Sequence, residues 1–283
     1  MFRLAITACL GAGAWAAEVD ALRISGEIAE RHIPFATIVD PIYDGEALVG
    51  YTRCGDSAIW TGHWLAAESF RYAVTRTPEA LAAVRRAIDG AWILVEVTGR
   101  NSLARCAIPS DSPWRDRLLA EEAHHGSYSG SINGRPYVWI GNTSRDQYAG
   151  MFFGLGTAWD LVDDPAIRTT VRDLVSRLLW RLRDDSWAVV MPDGHLSTVF
   201  WGRADLQLSF LQVGRRINPG QFDRDYQDLR FWAASSMIAP MTFEAVDDHH
   251  SYFKYNLAYI SFFNLIRLED SSFARCDSRG ASP

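Results

Sequence analysis

Gly141-Asn-Thr-Ser-Arg-Asp-Gln-Tyr-Ala-Gly-Met-Phe-Phe-Gly-Leu-Gly156 opens polar and aromatic and then runs into an apolar helix. Asn142, Ser144, Arg145, Asp146, Gln147 and Tyr148 carry more hydrogen-bonding capacity than a helix start needs, so part of it is expected to face a ligand. Three other stretches repeat the arrangement: Gly55-Asp-Ser-Ala-Ile-Trp-Thr-Gly-His63, Gly202-Arg-Ala-Asp205 and Asp247-Asp-His-His-Ser-Tyr-Phe-Lys-Tyr255. The four read as inner helices whose polar ends converge on one pocket.

Outward from these starts, buried and one-sided helices alternate. After Asp56, the residues Ile59, Trp60, Trp64, Leu65, Phe70 and Val74 surround the helix axis, the pattern of a helix buried on several sides. Thr77-Pro78 then starts a second helix, with Leu81, Val84, Ile88, Ala91, Trp92 and Val95 on one face and Arg85, Arg86 and Asp89 on the other, ending at Gly99. The unit recurs. A helix over Arg145 to Val162 is apolar nearly all round, and Asp164-Pro165 restarts the chain into a stripe of Ile167, Val171, Leu174, Leu178 and Leu182 opposed by arginines. Arg203 to Val213 with Phe222 to Ile238 make a third pair, and Tyr252 to Leu268 a fourth inner helix. Glu18 to His32 reads as a modest helix stopped by Pro34, and Ile38 to Tyr51 as an irregular loop. Trp114 to Ala123 reads as a short helix, while Asn133-Gly134 and Asp193-Gly194 signal short hairpins.

At 283 residues and 48% apolar the chain has material for one large core, and no linker divides it. A net charge of -6 without any Lys/Arg run argues against a nucleic-acid partner. Arg3, the apolar Leu4 to Gly13 and the small-x-small Ala14-Trp15-Ala16 predict a signal peptide over 1–16, a single domain over 17–270 and a frayed tail over 271–283. Export to a secreted or periplasmic location follows, preferred over lipoprotein anchoring at Cys9. No later segment has the ~20 apolar residues of a spanning helix. Cys54 and Cys106 fall at the same end of an up-down hairpin, so a disulfide between them is expected against the alternative of two separate thiols; Cys276 is left over.

Hairpins that bury their inner faces only against neighbours build a ring. From Gly55 to Leu268 the chain resembles the six-hairpin glycosidase-like proteins, the (α/α) toroids that include unsaturated glucuronyl hydrolases, other glycoside hydrolases and polysaccharide lyases. The resemblance rests on the helix alternation and the aromatic-rich helix starts, not on a diagnostic motif. It implies an all-α fold, an (α/α) toroid of helical hairpins, complete or incomplete, with short β-hairpin excursions at the rim. Fewer hairpins are recognisable than the six of a complete ring.

Glycoside cleavage uses one carboxyl to protonate a leaving oxygen and commonly a second to activate water or attack the sugar. Asp146, Asp56, Asp248 and His249 are the candidate catalytic residues, with Asp146 preferred because Arg145 beside it suits a substrate carboxylate and Tyr148 a sugar face. Arg145, Tyr148, Trp60, His63, Asn142, Tyr252 and Tyr255 are the candidate substrate-binding residues. Asp205 has the same placement and less polar company. The competing reading is simple: Asp is a preferred N-cap, favoured by exposed N–H groups and the helix dipole. Neither His124-His125 nor Asp247-Asp-His-His250 has an established metal-ligand spacing, so no metal and no cofactor is expected. The expectation is a secreted enzyme that hydrolyses an oligosaccharide or polysaccharide. A lyase using His and Tyr and a non-catalytic glycan-binding toroid are the alternatives.

Overall fold

The structure, a computed structural model, describes residues 18–233 and 252–269. The expected signal peptide, Cys9, Asp248, His249, Cys276 and the C-terminal tail lie outside the described residues. The fold is mainly helical with a few short antiparallel strand pairs. Helix α1 covers residues 18–31. Strands β1 (Asp40–Asp44) and β2 (Ala47–Thr52) follow, and a 3-10 turn, Cys54–Asp56, leads into α2 (Ser57–Thr75) and α3 (Pro78–Glu96). Strand β3 (Cys106–Pro109), α4 (Arg115–Glu121), a second 3-10 turn (Ala123–His125), β4 (Ser127–Ile132) and β5 (Arg135–Ile140) come next. Then come α5 (Arg145–Leu161), α6 (Pro165–Asp184), β6 (Ala188–Val190), β7 (Leu196–Val199), α7 (Ala204–Ile217), α8 (Pro219–Ala233) and α9 (Tyr252–Arg267).

Local chemistry sets the boundaries. The Thr77 hydroxyl accepts from Ala80 N at 3.2 Å and opens α3; one Asp164 oxygen accepts from both Ala166 N and Ile167 N at 3.0 Å and opens α6. In both, proline occupies the first turn where its missing N–H is not needed. Asn133 and Gly134 take φ of 50° and 81°, the pair of positive angles that a two-residue type I′ hairpin demands, and set the β4–β5 register. The expected irregular loop over Ile38 to Tyr51 is instead the β1–β2 hairpin. Its register shifts between Ile42 and Tyr43, and that bulge breaks the alternation by which strands are read from sequence.

Helices α2 and α5 lie side by side and run the same way. A Cβ on Gly62 would meet the Gly150 carbonyl at 2.1 Å, and one on Gly154 would meet the Gly62 carbonyl at 2.3 Å. This backbone-to-backbone contact is why the inner helices are rich in glycine. Helix α7 lies along α5 in the same direction, with Phe152 stacked on Phe210 at 4.4 Å and Gly156 against Val213. Helix α9 closes the set: Asn256 meets His63 of α2, Asn264 donates to Ser209 of α7, and Phe263 packs on Phe153 of α5. Helices α3 and α6 return antiparallel on the outside, joined by Arg177 to Glu96 at 2.9 Å. The four inner helices therefore start at one end of the molecule. The β1–β2 hairpin, the β3–β5–β4 sheet and the β6–β7 hairpin sit at that end, because each immediately precedes an inner helix. A Cys54–Cys106 disulfide, Cα to Cα 5.7 Å, ties the sheet to the turn that starts α2.

Candidate functional site

Gln147 organises the starts of α2 and α5. It is fully buried, its Oε1 accepts from Ile59 N at 2.9 Å, and its Nε2 donates to Asp56 Oδ1 at 3.2 Å and to Asp146 Oδ2 at 3.3 Å. The Ile59 N–H is one of the donors a helix start leaves without an internal partner, so Gln147 of α5 serves as the side-chain cap of α2. Asp56 stands at the N-cap of α2 yet makes no capping hydrogen bond. Asp146 lies within the first turn of α5, where Ser144 is the N-cap and also makes no side-chain cap; Asp146 Oδ1 accepts from the Ser144 hydroxyl instead. Two carboxylates thus face each other no more than two hydrogen bonds apart, and neither is a cap.

Arg105 supports the pair from below. Its buried guanidinium donates to Gly55 O and Asn142 O at 2.9 Å and to Ser144 Oγ at 2.7 Å, and approaches Asp56 Oδ1 at 3.8 Å. Burial is the main cause, and the Asp146 charge the second, that raises the Asp56 pKa above the ordinary aspartate value; Arg105 and the Gln147 hydrogen bond oppose this. About half of the Asp56 side chain is exposed, so it meets solvent and any ligand directly. Beside Gly55, Glu122 Oε1 accepts from Gly55 N at 2.9 Å, and Glu122 Oε2 stands 3.6 Å from His125 Nε2. His125 is neutral at ordinary pH, because burial, then Arg105 and His124, push its pKa down to about 4; its approach to Glu122 is not an ion pair.

One cleft is lined by Asp146 and a second by residues of α2 just beyond Asp56. The first, of 340 Å³, is also lined by Arg145, Thr198 and Arg203. Trp60, one turn along α2 from Asp56, lines the other, of 430 Å³, with His63, Arg53 and His32. Arg145 and Trp60 are exposed, as groups that meet a substrate must be.

Other expected residues are placed differently. Tyr148 is 1% exposed with its hydroxyl accepting from Leu103 N, and burial lifts its pKa to about 12. Its side chain is packed in the core rather than exposed as a binding face. His63 is half-buried, with Nδ1 at 2.9 Å from Ile59 O and Nε2 at 3.1 Å from Asn256 Nδ2; burial lowers its pKa. Both ring nitrogens are engaged, which leaves the ring as a wall. Asn142 takes φ 51° and contributes its backbone carbonyl to Arg105. Asp205 is fully buried, held by Arg203 at 3.0 and 2.7 Å, and does not join the acid pair. Tyr255 is exposed on α9, Tyr252 begins that helix, and Asp248 and His249 lie outside the described residues.

Sequence reasoning did not single out Arg105 or Glu122. The signal for Arg105 was its position next to Cys106, whose bonding partner Cys54 adjoins Gly55 and Asp56. For Glu122 no comparable signal exists. No family model, no curated protein and no solved structure matches the chain.

Proposed function

We propose that this chain is an exported carbohydrate-active enzyme whose helical hairpins form an (α/α) toroid, and that Asp56 and Asp146 cleave a glycosidic bond. The observation that carries the reading is the Asp56–Gln147–Asp146 arrangement: two acids, free of capping duty, bridged by one buried amide, with Asp146 lining a cleft and the Asp56 side chain about half exposed. Two carboxyls at one site, one to give a proton and one to act on water or the sugar, are what acid-base cleavage of an acetal needs. Asp56, with its raised pKa, is the general acid that protonates the leaving oxygen. Asp146 is the carboxylate that activates water or attacks the anomeric carbon. Arg145 suits a uronate carboxylate, and Trp60 a sugar face. Export is supported by the disulfide, which belongs to an oxidising compartment. Among the described residues no helix is long and apolar enough to cross a membrane.

The test is a screen of the purified protein against acidic and neutral oligosaccharides, read by reducing ends and by absorbance of unsaturated products, the second readout reporting a lyase. On a turned-over substrate, Asp56→Asn and Asp146→Asn are each expected to lower kcat by ~10²–10⁴, the usual worth of a positioned proton-transfer group. Normal turnover in both variants refutes the pair.

A further inference from the structure

We propose that Glu122, His124 and His125 bind a divalent first-row transition-metal ion, zinc being the best match. Glu122 ends the segment after α4, and the two histidines occupy the 3-10 turn that follows it. Consecutive histidines on an extended backbone point apart. In this turn their rings come to 3.9 Å between centroids, so both reach the same side as Glu122. One ligand atom from each of the three lies within 4.8 Å of the others. Donors on a tetrahedral zinc with bonds of about 2.0–2.1 Å stand roughly 3.4 Å apart, so a small rotation of the exposed His124 closes the set.

The carboxylate is already oriented. Glu122 is buried, and its Oε1 is held by Gly55 N at 2.9 Å while Oε2 faces His125. A Cβ on Gly55 would fall 2.4 Å from that Oε2, so only glycine leaves room for it. Ligating carboxylates are commonly fixed in this way by a second hydrogen bond. The histidine, by contrast, is unsatisfied: His125 Nδ1 is buried without a hydrogen-bond partner, and Nε2 at 3.6 Å from Glu122 is too distant for a hydrogen bond. Two imidazoles and a carboxylate select zinc and its neighbours over calcium or magnesium, which prefer all-oxygen shells. Three protein donors leave one tetrahedral position for water, the arrangement of an exchangeable rather than a closed structural site.

The inference goes beyond the sugar-cleaving reading and stands without it, because its test reads metal alone. The full chain is dialysed against a chelator, then titrated with Zn²⁺ by calorimetry and with Co²⁺ by visible absorbance, with melting temperature followed in parallel. One equivalent is expected to bind, with Tm rising as Zn²⁺ is added and Mg²⁺ without effect. His124→Ala removes an exposed ring, and Glu122→Gln keeps an acceptor for Gly55 N, so both fold. Each is expected to weaken binding by more than the about 10–100-fold that loss of an outer-shell partner costs. No saturable binding of either ion overturns the proposal, as does one-equivalent binding with unchanged affinity in both variants.

Discussion

Gln147 holds two carboxylates and caps a helix at once, and that coupling has a cost visible in Asp56. Asp56 accepts the Gln147 amide and approaches Arg105, yet burial and Asp146 outweigh both and raise its pKa. A group whose folded pKa exceeds its unfolded value favours the native state below the unfolded pKa, about 3.9 for aspartate, and loses that contribution as pH rises through the folded pKa. Ionising Asp56 therefore costs native-state stability. Asp56→Asn, which removes the charge and keeps an acceptor, is expected to melt at or above the wild-type temperature at pH 7. The difference should vanish when both are scanned in acid below the carboxylate range. A large Tm loss at pH 7 would mean that the carboxylate is a structural partner of Arg105. Loss of activity together with retained or raised stability is what separates a functional acid from a scaffold one.

Among the elements, the α2–α5 contact is the most exacting. Alanine is a better helix former than glycine, so an unhindered Gly→Ala in a helix stabilises by about 0.5–1 kcal/mol. Gly26 in α1 has nothing within 4 Å of a built Cβ, and Gly26→Ala is expected to show that gain. At Gly62 the same methyl would meet the Gly150 carbonyl at 2.1 Å, and backbone on both sides leaves no flexible side chain to give way. Overpacking a close contact costs typically about 1–3 kcal/mol. Gly62→Ala should destabilise within that range in urea unfolding, opposite in sign to Gly26→Ala. Equal effects in the two variants would show that the inner helices are not in backbone contact. Because Asp56 stands at the N-cap of α2 and Asp146 in the first turn of α5, this contact also sets the spacing of the acids.

For the molecule as a whole, the Cys54–Cys106 bond joins the β3–β5–β4 sheet to the turn that starts α2 across a sequence separation of 52. Closing such a loop restricts the unfolded chain and typically adds about 2–4 kcal/mol of stability. Cys54→Ser with Cys106→Ser is expected to lower unfolding free energy by about that much in a guanidinium titration. An unreduced digest of the wild type should show the two peptides linked, and both found as free thiols would remove the bond. Its neighbours give it a second consequence. Cys54 precedes Gly55 and Asp56, and Cys106 follows Arg105, so one covalent bond fixes both the acid and the cation beneath it.

Helices α2, α3, α5, α6 and α7 were legible in the sequence because their apolar spacing and their Thr-Pro and Asp-Pro starts are local properties, decided within a few residues of chain. The Asn133-Gly134 hairpin was legible for the same reason, since positive φ at two successive positions is a demand only a few residue types meet. The β1–β2 hairpin was not, because a bulge spoils its alternation. Which polar residues matter was decided by tertiary structure. Asp56, Asp146 and Asp205 look alike as helix-start acids in sequence, but a glutamine from a neighbouring helix caps one start and an arginine two residues away neutralises another. Tyr148 reads as a binding aromatic until packing seals it. Arg105, Glu122 and the adjacent histidines acquire their setting only when a strand, a turn and two helix starts meet around Gly55. Burial and long-range proximity fix charge, partner and access, and neither is a property of any stretch of sequence.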